Sequence, residues 1–220
     1  MLVCDDEQQI LRALRVILRD AGFEAVPASS AEEALDAAAV SRPDAAIIDL
    51  VLPDGDGVEV CRRLREWSQM PVIVLSAVGE EDAKVRALAA GADDYVTKPF
   101  GPRELVARLQ ANLRRIEPAP ADAVVSLDGL EVDLAARTVT RGGEEVHLTP
   151  TEFDLLRLLV RNRGRLMTHR QLLVSVWGPG YGDDTQVLRA HIANLRRKIE
   201  PAEEPRYIRT DPRVGYRFAG

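Results

Sequence analysis

Over the first 115 residues, short apolar runs alternate five times with stretches of helical periodicity. The runs fall at residues 1–4, 24–28, 45–49, 71–76 and 94–97, each closed within a few residues by acids, Ser, Gly or Pro. Apolar runs of this length without polar alternation read as strands buried on both faces, as in a parallel sheet. Between them, Ile10, Leu11, Leu14, Ile17 and Leu18 stand at helical spacing, and that helix closes near Gly22. Ser30 opens the next helix, with Glu33 three residues on completing a capping box. A third, over 58–67, carries Val60, Leu64 and Trp67 on one side; a fourth spans 80–90. Leu105, Leu109 and Leu113 mark the inward side of a fifth over 102–115. Five strands alternating with five helices predict a doubly wound α/β domain.

Beyond residue 116 the pattern changes. The stretch 117–124 is rich in Pro and Ala with no periodicity, which reads as a tether between domains at 1–116 and 125–220. Residues 125–148 break into short strands around Asp128-Gly129 and Gly142-Gly143, a small antiparallel sheet. Thr149, Pro150 and Glu152 then start a helix with a capping box and a Pro at its first position. Thr168 with Gln171 repeats the box. A third helix begins at Asp184 or Thr185, with Leu188, Ile192, Leu195 and Ile199 on one stripe. Two short segments around a turn at 211–214 close the chain as a hairpin.

Charge sharpens this division. The net charge of −6 splits into −7 up to Glu117 and +1 beyond it. An acidic front and a locally Arg-rich back point to two separate tasks. No apolar run reaches membrane-spanning length and no signal peptide precedes the first acids, so a cytoplasmic protein without membrane association is expected. Cys4 and Cys61 lack metal-ligand spacing and read as buried small hydrophobes.

The polar residues at the strand ends carry the candidate chemistry. Asp5 and Asp6 follow the first strand, Asp49 ends the third, Ser76 the fourth, and Lys98 follows the fifth. In a flavodoxin-like order, 2-1-3-4-5, the first and third strands flank the topological switch point where such sheets bind ligands. Three carboxylates would meet there and repel one another unless a cation intervenes, and all-oxygen ligands suit Mg²⁺. A hydroxyl and an ammonium opposite would complete a cradle for a phosphoryl group on Asp49.

These motifs, DD near the start, IIDLVLPDGDG, LSA and DYVTKPF, resemble the receiver domain of two-component response regulators. The resemblance implies that Asp49 is the phospho-acceptor and that Asp6, Asp5 (through water), Asp49 and the Val51 carbonyl hold the metal. It further implies that Lys98 pairs with the phosphoryl group, that the Lys98–Pro99 bond is cis, and that Ser76 and Tyr95 form the switch pair. Receivers of this kind usually carry several more residues before the acid pair, so the native start is expected upstream. Val51 and Val78 occupy the two positions that tune hydrolysis in such domains. Neither can hydrogen-bond an attacking water, so slow self-dephosphorylation is expected, with no other enzymatic activity. Lys84, Asp93, Asp94, Glu104, Arg108 and Arg115 match the face through which OmpR/PhoB receivers form two-fold dimers on phosphorylation.

In the back half, the third helix turns Gln186, Ala190, Ala193 and Arg197 away from its apolar stripe, flanked by Arg189 and Asn194. Small residues ringed by Arg, Gln and Asn suit insertion into the major groove of double-stranded DNA. LTPTEFDLL, RQLL, VWG, HIANLRRKIE and VGYRF resemble the winged helix-turn-helix domain of the OmpR/PhoB family. The wing tip departs from that pattern, with Pro212-Arg213 where Arg-Gly is usual; Arg213 remains a candidate DNA contact. Within the family, REWSQMPVIVLSA and QLLVSVWGPGY are similar to the potassium-transport regulators. The implied partners are a sensor histidine kinase of that system and promoter DNA, and the implied target is a potassium-uptake operon; a regulator of a different operon is the alternative. A phosphatase with an Asp nucleophile would share the first fold but normally needs a second acid where Val51 stands. A P-loop nucleotide binder would need GxxxxGK[ST], which is absent. A protein-binding role for the back half would show as DNA affinity insensitive to salt.

Overall fold

Every side chain from Ala45 to Leu50 is buried, and the sheet is built outward from that segment. The computed structural model describes residues 1–77, 79, 81–113, 124–182, 184–200 and 207–219. The chain divides into two units, Met1–Leu113 and Arg114–Gly220.

In the first unit, β1 (Leu2–Cys4), α1 (Gln8–Asp20), β2 (Val26–Ala28), α2 (Ala31–Ser41) and β3 (Ala46–Asp49) come first. A two-strand hairpin, β4 (Val51–Leu52) and β5 (Gly55–Asp56), leads into α3 (Gly57–Arg65). Then follow β6 (Val72–Ala77), α4 (Glu81–Ala89), β7 (Asp94–Lys98) and α5 (Pro102–Leu113). The main strands form one parallel sheet in the order β2-β1-β3-β6-β7, the flavodoxin-like topology expected from the sequence. Side-chain alternation splits its core in two. Val3, Ile47, Ile73, Leu75 and Val96 join Leu11, Leu14, Leu18, Leu105 and Leu109 of α1 and α5 on one face. On the other, Leu2, Ile48 and Val74 are buried, as are Leu35 of α2 and Leu64 of α3.

Two local readings are corrected. α3 ends at Arg65, so Trp67 is outside the helix and half exposed instead of on its inner side. The capping box at α2 is half formed. Ser30 Oγ accepts from Glu33 N–H, but the Glu33 carboxylate takes the N–H and hydroxyl of Ser29. The remaining N–H donors of the first turn, on Ala31 and Glu32, go to Asp54, from a loop more than 20 residues away. Gly57 shows why the chain turns as it does after β3: a Cβ there would lie 2.0 Å from the Asp49 carbonyl oxygen. Only Gly lets α3 start directly beneath the third strand.

The second unit opens with an antiparallel sheet of β8 (Val124–Leu127), β9 (Leu130–Asp133), β10 (Thr138–Arg141) and β11 (Glu144–Glu145). Then come α6 (Pro150–Arg161), β12 (Leu166–Thr168), α7 (His169–Trp177), a 3₁₀ turn at Pro179–Tyr181 and α8 (Thr185–Ile199). The wing is β13 (Ile208–Asp211) with β14 (Gly215–Phe218), and β12 pairs with β14 to make a three-stranded sheet. Both capping boxes, Thr149/Glu152 and Thr168/Gln171, form in full. Phe153, Leu156, Leu172, Trp177, Leu188, Ile192 and Phe218 fill the core between helices and wing. The proposed tether at 117–124 lies outside the described residues, apart from Val124, which begins β8.

Candidate functional site

At the carboxyl ends of β1 and β3, each of Asp5, Asp6 and Asp49 offers a carboxylate oxygen within 4.8 Å of the others'. Asp5 and Asp49 are buried and Asp6 is exposed. The parallel register brings this about, because Cys4, the last residue of β1, pairs with Ile48, so Asp5 and Asp49 follow side by side. Lys98, at the end of β7, reaches across β6 to both buried acids. Its Nζ lies 2.7 Å from Asp5 Oδ2 and 3.0 Å from Asp49 Oδ2. The other oxygens are engaged locally: Asp49 Oδ1 accepts from Leu50 N–H and Asp5 Oδ1 from Glu7 N–H.

The charges do not balance. Three carboxylates face one ammonium, and burial raises the Asp49 carboxyl above its ordinary range despite Lys98. Burial pulls the Lys98 ammonium down, but its bonds to Asp5 and Asp49 more than offset this, so its pKa is raised. A small divalent cation with hard oxygen ligands fits this donor set and its uncompensated charge. Val51, whose carbonyl is the further predicted ligand, is an exposed residue in β4, two positions after Asp49. Ser76 Oγ is fully buried with no hydrogen-bond partner among the described residues. A hydroxyl left this way at a strand end is a donor awaiting an acceptor. Tyr95 is half-buried, and Lys84 Nζ lies 5.0 Å from its ring centroid. The Lys98–Pro99 bond is cis. Val78 lies outside the described residues.

The predicted dimer face looks different from its sequence reading. Lys84 is buried and pairs with Glu81 at 2.8 Å. Arg108 bonds Glu104 and fully buried Asp94 within the same chain. Asp93 is not on the surface: at 0% exposure, it accepts from Arg65 (2.7 Å) and from Val72 N–H. Arg65 also binds the Gly91 and Met70 carbonyls, so this pair ties the end of α3 to the loops that lead into β6 and β7. Arg115 lies outside the described residues.

On the second unit, Gln186, Arg189, Ala193 and Arg197 are exposed along one side of α8. Asn194 is not among them; it is 2% exposed, and its side-chain oxygen accepts from Arg197. At about 100° per residue, Asn194 falls back toward the Leu195 side, which a flanking position conceals in sequence. Arg213 is exposed at the wing tip with φ 65°. Two residues passed over in the sequence latch the wing to α8. Arg196 donates to the Ile208 carbonyl and Thr210 hydroxyl, and Glu200 Oε1 accepts from the N–H groups of Tyr207 and Ile208. The only local signal for either was a charged residue next to an apolar stripe.

Comparison with known proteins agrees with this two-part arrangement. Residues 1–110 match the family described as "Response regulator receiver domain", and residues 143–218 match "Transcriptional regulatory protein, C terminal". The chain is 50% identical over 221 residues to the KDP operon transcriptional regulatory protein KdpE of Escherichia coli (strain K12), covering 99% of this chain and 98% of that one. It is 42% identical over 218 residues to the DNA-binding response regulator MtrA of Mycolicibacterium smegmatis, covering 99% and 95%. Among solved structures, the response regulator DrrB of Thermotoga maritima, an OmpR/PhoB homolog, aligns over 100% of this chain and 98% of its own at 32% identity and a TM-score of 0.53. No helix among the described residues is long and apolar enough to cross a membrane.

Proposed function

The chain belongs to the OmpR/PhoB-type response regulators, a receiver domain followed by a DNA-binding domain, and from that premise we propose that phosphorylation of Asp49 by a sensor histidine kinase switches its binding to promoter DNA. The observation that carries this reading is the convergence of Asp5, Asp6, Asp49 and Lys98 at the strand ends. Asp49 is the acceptor in this reading because it ends the third strand, the place the receiver pattern gives to the phosphorylated acid; Asp5, likewise buried and also bonded to Lys98, stands among the metal ligands. Asp5, Asp6, Asp49 and the Val51 carbonyl would hold Mg²⁺, which supplies positive charge to the phosphoryl oxygens. Lys98 then exchanges a carboxylate partner for the phosphoryl group, and the Ser76 hydroxyl donates to it. Tyr95 follows Ser76 inward, and the receivers pair through the α4–β7–α5 face, on which Glu104 is exposed and Arg108 partly so.

Gln186, Arg189, Ala193 and Arg197 face the major groove in this reading, and Arg213 reaches toward the minor groove. Pairing matters because two weak DNA-binding modules on one duplex gain affinity from effective concentration. Identity to KdpE favours a KdpD-like kinase and a potassium-uptake operon; identity to MtrA keeps a different operon as the second reading. Val51 offers no hydrogen bond to an attacking water, so the phosphorylated form hydrolyses slowly.

A single sedimentation experiment tests the switch and its lifetime. A small-molecule phosphoryl donor with Mg²⁺ should convert the wild-type chain, but not Asp49→Asn, from monomer to dimer. Once the donor is removed, the dimer should persist for minutes. A chain that stays monomeric with phosphorylated Asp49, or loses its label within seconds, contradicts the reading.

A further inference from the structure

Asp54 stands at the tip of the β4–β5 hairpin, yet its side chain serves another element. Its Oδ1 accepts from Ala31 N–H at 2.7 Å and its Oδ2 from Glu32 N–H at 3.0 Å. Both are first-turn donors of α2 that have no partner within their own helix. The hairpin itself is minimal, with Val51 opposite Asp56 and Leu52 opposite Gly55. Its base is fixed where Gly57 N–H donates to the Leu50 carbonyl at 2.9 Å. Its tip lies against α2, since a Cβ on Gly55 would come within 3.7 Å of the Ala31 Cβ. Between base and tip sits Val51, largely exposed and therefore not held by packing.

Resting on the reading of the acid cluster given above, we propose that Asp54 is a positioning residue for the Mg²⁺ site. By clamping the hairpin tip to α2 it fixes the Val51 carbonyl in place beforehand. The ordering of that loop is then complete in the free protein and does not weigh against ion binding. The charge of Asp54 is not what matters; a side-chain oxygen that accepts from the first turn of α2 is.

Mg²⁺ titration calorimetry on the full unphosphorylated chain separates the possibilities, with thermal unfolding in the absence of Mg²⁺ as the check on folding. Asp54→Ala should weaken Mg²⁺ binding about tenfold, the lower end of what outer partners of metal ligands contribute. Asp54→Asn, which removes the charge but keeps one acceptor oxygen, should retain most of the affinity; it also serves if Asp54→Ala fails to fold. Ser30→Ala deletes another cap of the same helix without touching the hairpin, so it should lower stability and leave Mg²⁺ affinity unchanged. Wild-type affinity in Asp54→Ala overturns the proposal. So does equal weakening in Ser30→Ala, which would make helix capping the cause, or equal weakening in Asn and Ala, which would make it charge. A wild-type chain that binds no Mg²⁺ would instead overturn the reading beneath it.

Discussion

Arg213 holds a left-handed backbone at the third position of the wing turn, after Pro212 and with Val214 N–H bonded to the Asp211 carbonyl. Pro at the second position and positive φ at the third define a type II turn, where Gly is favoured. A side chain in that region costs about 1 kcal/mol or more, and the exposed Arg213 makes up for it by placing a guanidinium at the tip. Arg213→Gly should therefore raise stability by about 1 kcal/mol. The same substitution should weaken DNA binding and shrink its salt dependence by about one ion. Denaturant unfolding and salt-titrated DNA binding check both; unchanged salt dependence would place Arg213 off the DNA. At this scale the sequence was informative where chemistry repeats at strand ends, as for Asp5, Asp49, Ser76 and Lys98. It was misleading for Asn194 and Asp93, whose burial depends on which neighbour their helix or loop meets.

Among the elements, α2 shows the same division most clearly. Its Ser30 cap is visible in sequence because the interaction spans three residues. The Asp54 cap is not, because it spans more than 20 and depends on the β4–β5 hairpin, which no apolar pattern marks. The N–H groups of Glu32 and Ala31 hold the Asp54 carboxyl below its usual range, and the Ser29 backbone and hydroxyl do the same for Glu33. A carboxylate with a depressed folded pKa stabilises fully above its unfolded value, about 4, and loses that contribution as pH falls through the lower folded value. Thermal unfolding between about pH 5 and pH 3 should therefore fall less steeply in an Asp54→Asn/Glu33→Gln double variant than in the wild type. Equal slopes would mean that these caps contribute nothing to acid sensitivity.

Across the whole molecule, the charge division seen in the sequence follows the two units, with the acid cluster in one and the exposed Arg189, Arg197 and Arg213 in the other. In the first unit, the parallel register carries three carboxylates and one ammonium into a single crevice. In the second, Arg196 and Glu200 fix the wing against α8. Each unit is built for its own task, and in the proposed function phosphorylation of Asp49 couples the two. The most direct test is occupancy of the gene's own upstream DNA with histidine kinase, ATP and Mg²⁺, comparing wild type with Asp49→Asn. The account predicts that wild-type occupancy rises on phosphorylation and falls when Mg²⁺ is chelated before the kinase is added, while Asp49→Asn stays at the unphosphorylated level throughout. Equal occupancy by the two proteins under kinase and Mg²⁺ would contradict it and leave a constitutive DNA binder.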